Sequence, residues 1–304
     1  MADASVSRPV AVVACLAMAV FYVAILYSPS LILRLPPPTS KSNFLIRRFV
    51  CAVVSSIASA FLTSCLLPIK TVQAWPLIFG TFGIRLDHLW QAVVIPVFLT
   101  SLLYSGSFVS KLLYLVGTWK QDKFVRITLQ SVLNSFHSNV ANVMAWRNYI
   151  VAPLTEELVF RACMIPLLLC GGFKTYHIIF LSPIFFSLAH LNHFLELYCV
   201  QSYSFFKAAV IVGIQLGYTV IFGWYAAFLF IRSGNLFAPI VAHMFCNVMG
   251  LPVLSSPRAR GLTIMASASG LVAFLWLLFP LTNPNLYNDR IDSCRCWQGY
   301  CNWN

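Results

Sequence analysis

The stretch "APLTEELVFRACMIPLLLC", residues 152–170, sets two adjacent carboxylates, Glu156 and Glu157, and one guanidinium, Arg161, inside a long apolar run. The chain has only one further glutamate, Glu196. A charged side chain at the centre of a bilayer costs roughly 2.5–3.5 kcal/mol on insertion scales, and two adjacent ones cost more. Helical spacing offsets part of that. Glu157 and Arg161 are four residues apart, on one face, with the acid before the base. Glu156 is turned about 100° from its neighbour and finds no partner in its own helix. One glutamate is expected to be tethered, the other free to act. A helix starting at Pro153 or Thr155 would instead make both acids complements of the helix dipole, with no chemistry implied.

Histidines weigh against that bland alternative. "SPIFFSLAHLNHFLE" places His190, His193 and Glu196 at i, i+3 and i+6, one stripe of a helix. "APIVAHMFCNVMG" places His243 and Asn247 at i and i+4, on one face. A lone buried histidine is usually structural. Three separate helices, each offering a polar face within apolar sequence, predict one shared wet cavity. Within it His193 has two readings, as a participant in the chemistry or as the partner of Glu196. His88, His137 and His177 stand near loop ends and are read as interfacial.

These faces must be carried by membrane-embedded elements. Of 304 residues, 60% are hydrophobic and 9% charged, against about 25% charged in soluble domains. Such a chain cannot coat a globule with polar surface, and lipid is the expected solvent. Apolar segments at about 9–27, 48–68, 88–105, 148–170, 176–197, 205–231, 236–254 and 262–282 predict an all-α, polytopic transmembrane bundle of about eight spans. The first is read as a retained span rather than a cleaved signal. "LRLPPPTSKSNFLIRR" and "SSPRARG" read as loops. The polar stretch 106–147 is expected to lie at the interface as amphipathic helices, with Trp119 and Trp146 at headgroup level. The whole chain reads as a single domain, 1–304, with its polar faces on helices within roughly 148–254.

The net charge of +12 comes from basic residues scattered through short loops, which suits lipid headgroups and not nucleic acid. Twelve lysines and arginines fall on one side of the eight-span topology and seven on the other, which favours both termini on the non-cytosolic side. Seven of the ten cysteines lie in or beside apolar runs, where they act as small hydrophobes. Cys294, Cys296 and Cys301, with no histidine nearby, have no recognisable zinc spacing.

"EELVFR", "FFSLAHLNHFLE" and "HMFCNVMG" together resemble the CAAX prenyl proteases of the Ras-converting type, intramembrane glutamate endopeptidases with the pattern EExxxR, then AHxxH, then HxxxN. The similarity covers roughly 150–250. It implies that Glu156 activates water with His190 as its partner, that His243 and Asn247 hold an oxyanion, and that Glu157, Arg161 and His193 support them. One departure stands out: eukaryotic members often read HLHH, and Asn192 replaces the first of those paired histidines. That weakens any metal site built from the cluster. The resemblance further implies a protease that removes the last three residues of farnesylated or geranylgeranylated CaaX proteins, such as Ras-type small GTPases, at the endoplasmic reticulum membrane. Its cavity would open to the cytosol and to membrane lipid. No cofactor is expected.

The residues are compatible with that chemistry. Peptide hydrolysis needs a base for water, donors for the oxyanion and an acid for the leaving amine. Zinc held by Glu156, His190 and His243 is a less favoured alternative, since HExxH is missing and asparagine is not a typical ligand. A proton-coupled transporter and a catalytically dead scaffold are alternatives of another class. No evident inverted repeat supports the transporter.

Overall fold

The computed structural model describes residues 6–67, 79–118, 134, 142–253 and 259–287. Its elements are all helical among these residues. Helix α1, Arg8–Ala24, opens with proline in its first turn, where the missing N–H is harmless. It continues through a tighter turn to Leu31, giving an apolar run of 24 residues. Helix α2, Lys41–Leu66, is capped by Ser40, whose hydroxyl accepts from the Asn43 N–H at 3.1 Å. This corrects the sequence reading of 33–48 as loop throughout. The three prolines end at Pro38, and the Ser40 cap starts a helix that carries Arg47 and Arg48.

Helices α3, Leu89–Leu103, and α4, Ser105–Thr118, are bent by 73° at their junction, as a broken span or a re-entrant pair. The first part of the polar stretch is therefore an apolar helix that belongs to this bent pair. Most of the remainder, with Trp119 and His137, lies outside the described residues. Trp146 is exposed. The "SSPRARG" loop lies largely outside the described residues, as do Cys294, Cys296 and Cys301.

Helix α5 runs from 143 to 170 with changing pitch. Asn142 caps it, its side-chain oxygen accepting from the Met144 N–H at 2.9 Å. Wider π turns at Arg147–Val151 and Leu158–Cys163 flank an α-helical piece, Ala152–Glu157. Such turns re-aim side chains and recur at functional sites. Residues 159–168 are all buried, as befits a segment that is apolar all round but for Arg161 and central to a bundle. Helices α1, α2 and α6 surround it.

Helix α6, Thr175–Ala189, is followed by a turn at His190 and Leu191, the short α7, Asn192–Leu195, and a π turn, Glu196–Val200. Helix α8, Phe205–Ser233, is N-capped by Ser204 and ends at Gly234 in the left-handed conformation. Pro183 of α6 packs on Gly223 of α8 so closely that a Cβ at 223 would lie 2.6 Å from the proline Cβ. Small residues allow this approach where lipid supplies no hydrophobic drive between helices. Helices α9, Phe237–Met249, and α10, Arg260–Leu281, complete the bundle.

Five helices are long and apolar enough to cross a membrane, or six with the bent pair taken as one span, among the described residues. Two of the eight apolar segments differ from that pattern. One is α5, whose pitch changes twice. The other is α9, whose 13 residues reach about 20 Å against a hydrocarbon core of about 30 Å.

Candidate active site

Glu156 and Glu157 lie more than three turns inside α5, which begins at Val143, so complementing a helix start is not their role. Glu157 is fully buried and Arg161 is 1% exposed, with guanidinium Nε 3.1 Å from the carboxylate. The guanidinium carbon stands 4.6 Å from the centre of the Phe186 ring. The two terminal nitrogens of Arg161 have no hydrogen-bond acceptor among the described residues. The aromatic face therefore supplies what polar partners do not.

The same carboxylate holds His243. Its Nδ1 is 2.7 Å from Glu157 Oε1. A carboxylate only accepts, so Nδ1–H donates and the tautomer is fixed. The other ring nitrogen faces Glu156, 3.8 Å from Oε2. Glu157 thus bridges Arg161 and His243, a link between α5 and α9 that the spacing of the sequence does not reveal.

Glu156, 18% exposed, opens into a cavity of about 100 Å³ that His190, His193 and Asn192 also line. That volume is roomy enough to admit water. His190 Nδ1 lies 3.0 Å from the Phe186 carbonyl. A carbonyl also only accepts, so the neutral ring keeps the Nε2 lone pair unused. The predicted stripe of His190, His193 and Glu196 is interrupted, because α6 ends at Ala189 and the chain turns before α7. Both histidines still face one cavity, with ring centres 5.8 Å apart. His193 Nδ1 also lies 3.8 Å from Glu196 Oε2, so both readings of this residue keep support.

Neither His243 nor Asn247 is among the residues that line this cavity, and the two are placed differently from each other. Asn247 is exposed and donates from Nδ2 to the Asn148 carbonyl at 2.7 Å. One turn separates the two along α9, which ends at Met249. His243 therefore stays inside while Asn247 emerges at the rim, with one amide N–H still available.

Four further side chains belong to the site. Tyr22 and Arg48 reach the cavity from α1 and α2, and Arg147 from the first π turn of α5. The Thr155 hydroxyl spends its proton on the Val151 carbonyl at 2.8 Å, so Tyr22 O–H donates to Thr155 across 2.9 Å. Phe186 stacks under Arg161 and meets His190 edge-on at 4.8 Å between ring centres. Nothing in the local sequence sets these four apart. Only the phenylalanine's place four residues before His190 was available as a signal.

The class so defined is a polytopic helical membrane protein with an interior cluster of carboxylates and imidazoles. Residues 138–249 match the type II CAAX prenyl endopeptidase Rce1-like family. CAAX prenyl protease 2 of Arabidopsis thaliana is 54% identical over 99% of this chain and 98% of its own length. CAAX prenyl protease 2 of Homo sapiens is 34% identical over 92% of this chain and 83% of its own. The Caenorhabditis elegans protein of that name is 31% identical over 77% and 84%. No solved structure matches the chain. The chain belongs to the type II CAAX prenyl endopeptidase family, and it is a protease.

Proposed function

We propose that this chain, acting as one domain, removes the last three residues of prenylated CaaX proteins by metal-free hydrolysis in the Glu156–His190 cavity. Support comes first from the division of labour between adjacent carboxylates: Glu157 is consumed by Arg161 and His243, while Glu156 faces a water-sized cavity shared with His190. Glu156, aided by the unused Nε2 of His190, takes a proton from water as the oxygen attacks the scissile carbonyl. Asn247 and His243, both adjoining α5, donate to the oxyanion, His243 through Nε2 once that nitrogen is also protonated while Nδ1–H stays on Glu157. The tetrahedral adduct then collapses, the C–N bond breaks, and the proton passes to the leaving amine. A prenylcysteine carboxylate and a free tripeptide result.

The metal-free reading draws on the donor set. Among the described residues no three His, Cys, Asp or Glu side chains converge as a metal site, and Asn192 stands within the cluster. The oxyanion assignment predicts that Asn247→Ala lowers kcat by about 10²–10³-fold with KM little changed, because such a donor acts mainly in the transition state. Steady-state kinetics check it, and a defect confined to KM would sink the assignment.

A prenylated substrate is supported by a second cavity of about 600 Å³, almost wholly apolar, between α1 and the α6–α7 turn. It shares Val23, Ala189 and Asn192 with the polar cavity. Tyr27 O–H donates to Asn192 Oδ1 at the boundary. A prenyl chain in the apolar cavity brings its cysteine to the polar one. The membrane helices, and the twelve-to-seven sequence count that sets Arg48 and Arg147 on the more basic side of the expected topology, support a multi-pass protein of the endoplasmic reticulum with its site open to the cytosol, where Ras-type tails are found.

The decisive assay is hydrolysis of a farnesylated CaaX peptide by purified protein, beside the same peptide without the lipid. Each buried CH₂ contributes about 0.8 kcal/mol, so kcat/KM for the lipidated peptide should be higher by about 10³-fold or more. Equal kcat/KM for the two would overturn lipid-directed recognition, and cleavage of neither would overturn the proposal.

A further inference from the structure

We infer that Arg48 and Arg147 form the subsite that takes the free α-carboxylate at the end of the substrate chain. The inference rests on the cleavage reading above and adds residues that it does not use. Both arginines line the cavity that holds Glu156 and His190. Neither forms an ion pair with a described carboxylate. Arg48 Nε is buried and has no hydrogen-bond acceptor among the described residues, while its guanidinium carbon lies 4.8 Å from the Phe44 ring centre. Among the described residues, the Arg147 guanidinium has just a 3.9 Å contact from Nη1 to the Met144 sulfur. Two guanidinium groups are thus held beside the reacting centre with their donors unspent.

Charge points the same way. Glu157 and Arg161 neutralise each other, leaving one carboxylate, Glu156, against two cations. An anion completes the balance, and a guanidinium fork suits a carboxylate. Reach agrees as well. Three extended residues span about 10 Å from the scissile bond to the terminal carboxylate. Arg147 and Glu156 are nine residues apart on α5, roughly 13 Å at α-helical rise and somewhat less across a π turn. Arg48 sits in the second turn of α2, at the same end of the bundle. A tail lying across the rim, lipid in the apolar cavity and cysteine at Glu156, brings its terminus to the two arginines. A phospholipid headgroup offers similar anionic chemistry, and the experiment separates the two sources.

The experiment compares a farnesylated CaaX peptide bearing a free C-terminal carboxylate with its C-terminal primary amide. Wild-type protein should prefer the acid by about 10- to 100-fold in kcat/KM, the range for a hydrogen bond to a charged group. Arg48→Ala should lose that factor on the acid, mainly through KM, and leave the amide unchanged. Arg48→Lys should retain part of the preference. Arg147→Ala should act in the same direction, which keeps the test available if Arg48→Ala does not fold. Equal cleavage of acid and amide by the wild type would overturn the inference while leaving the protease reading standing. So would equal losses on both substrates in the arginine variants, the result expected of a structural or lipid-binding role. A wild type that cleaves neither peptide would overturn the protease reading itself, and this inference with it.

Discussion

Glu156→Gln is expected to lower kcat on a farnesylated CaaX peptide by about 10³-fold or more while leaving the fold intact. An amide has nearly the shape of the carboxylate but cannot take a proton from water, and general-base catalysis contributes about 10²–10⁴-fold. Stability should hold because Glu156 carries little structural duty. It is 18% exposed, and the His243 Nε2 that faces it is 3.8 Å away, beyond hydrogen-bonding range. The measurement is kcat beside the thermal midpoint in detergent. Near-normal turnover would remove Glu156 from the mechanism. A lost fold would show that the residue is structural after all.

How much of this was legible beforehand depended on sequence distance. The Glu157–Arg161 pair is a contact within one helix, so spacing alone gave it, including the isolation of Glu156. Convergence of Glu156, His190 and His193 on one cavity followed from the expense of polar groups in lipid, which drives them together. The bond from His243 to Glu157 was hidden because it joins residues 86 apart on different helices, and no periodicity encodes it. Tyr22 and Arg48 were missed for the same reason. The regular 3.6-residue template also fails at α5 and at the α6–α7 turn. Asn247 shows the limit in another way: its i+4 relation to His243 fixes a common face but says nothing of the helix ending two residues later.

The other large effect falls on the buried pair. Arg161→Ala is expected to destabilise the protein by about 3–5 kcal/mol, the usual result of removing one partner from a buried ion pair. Glu157 is fully buried and would be left, among the described residues, with His243 as its one polar contact. The damage should spread, because Arg161 also lies over Phe186, whose ring meets His190 and whose carbonyl orients that imidazole. Abundance, thermal midpoint and kcat should therefore all fall. Arg161→Lys should rescue poorly, since an ammonium can hold the charge but cannot lay a flat face on Phe186. The double variant Glu157→Gln with Arg161→Met separates stability from function. It removes both charges at similar volume, and replacing such a pair by apolar or neutral groups is often neutral or stabilising. Its thermal midpoint should recover toward wild type. Its kcat should stay low, because a glutamine no longer holds the Nδ1 proton of His243 as a carboxylate does. Unchanged abundance and midpoint in Arg161→Ala would show that the pair carries no load. Recovery of both midpoint and kcat in the double variant would show that Glu157 serves only to neutralise Arg161, and that His243 does not depend on it.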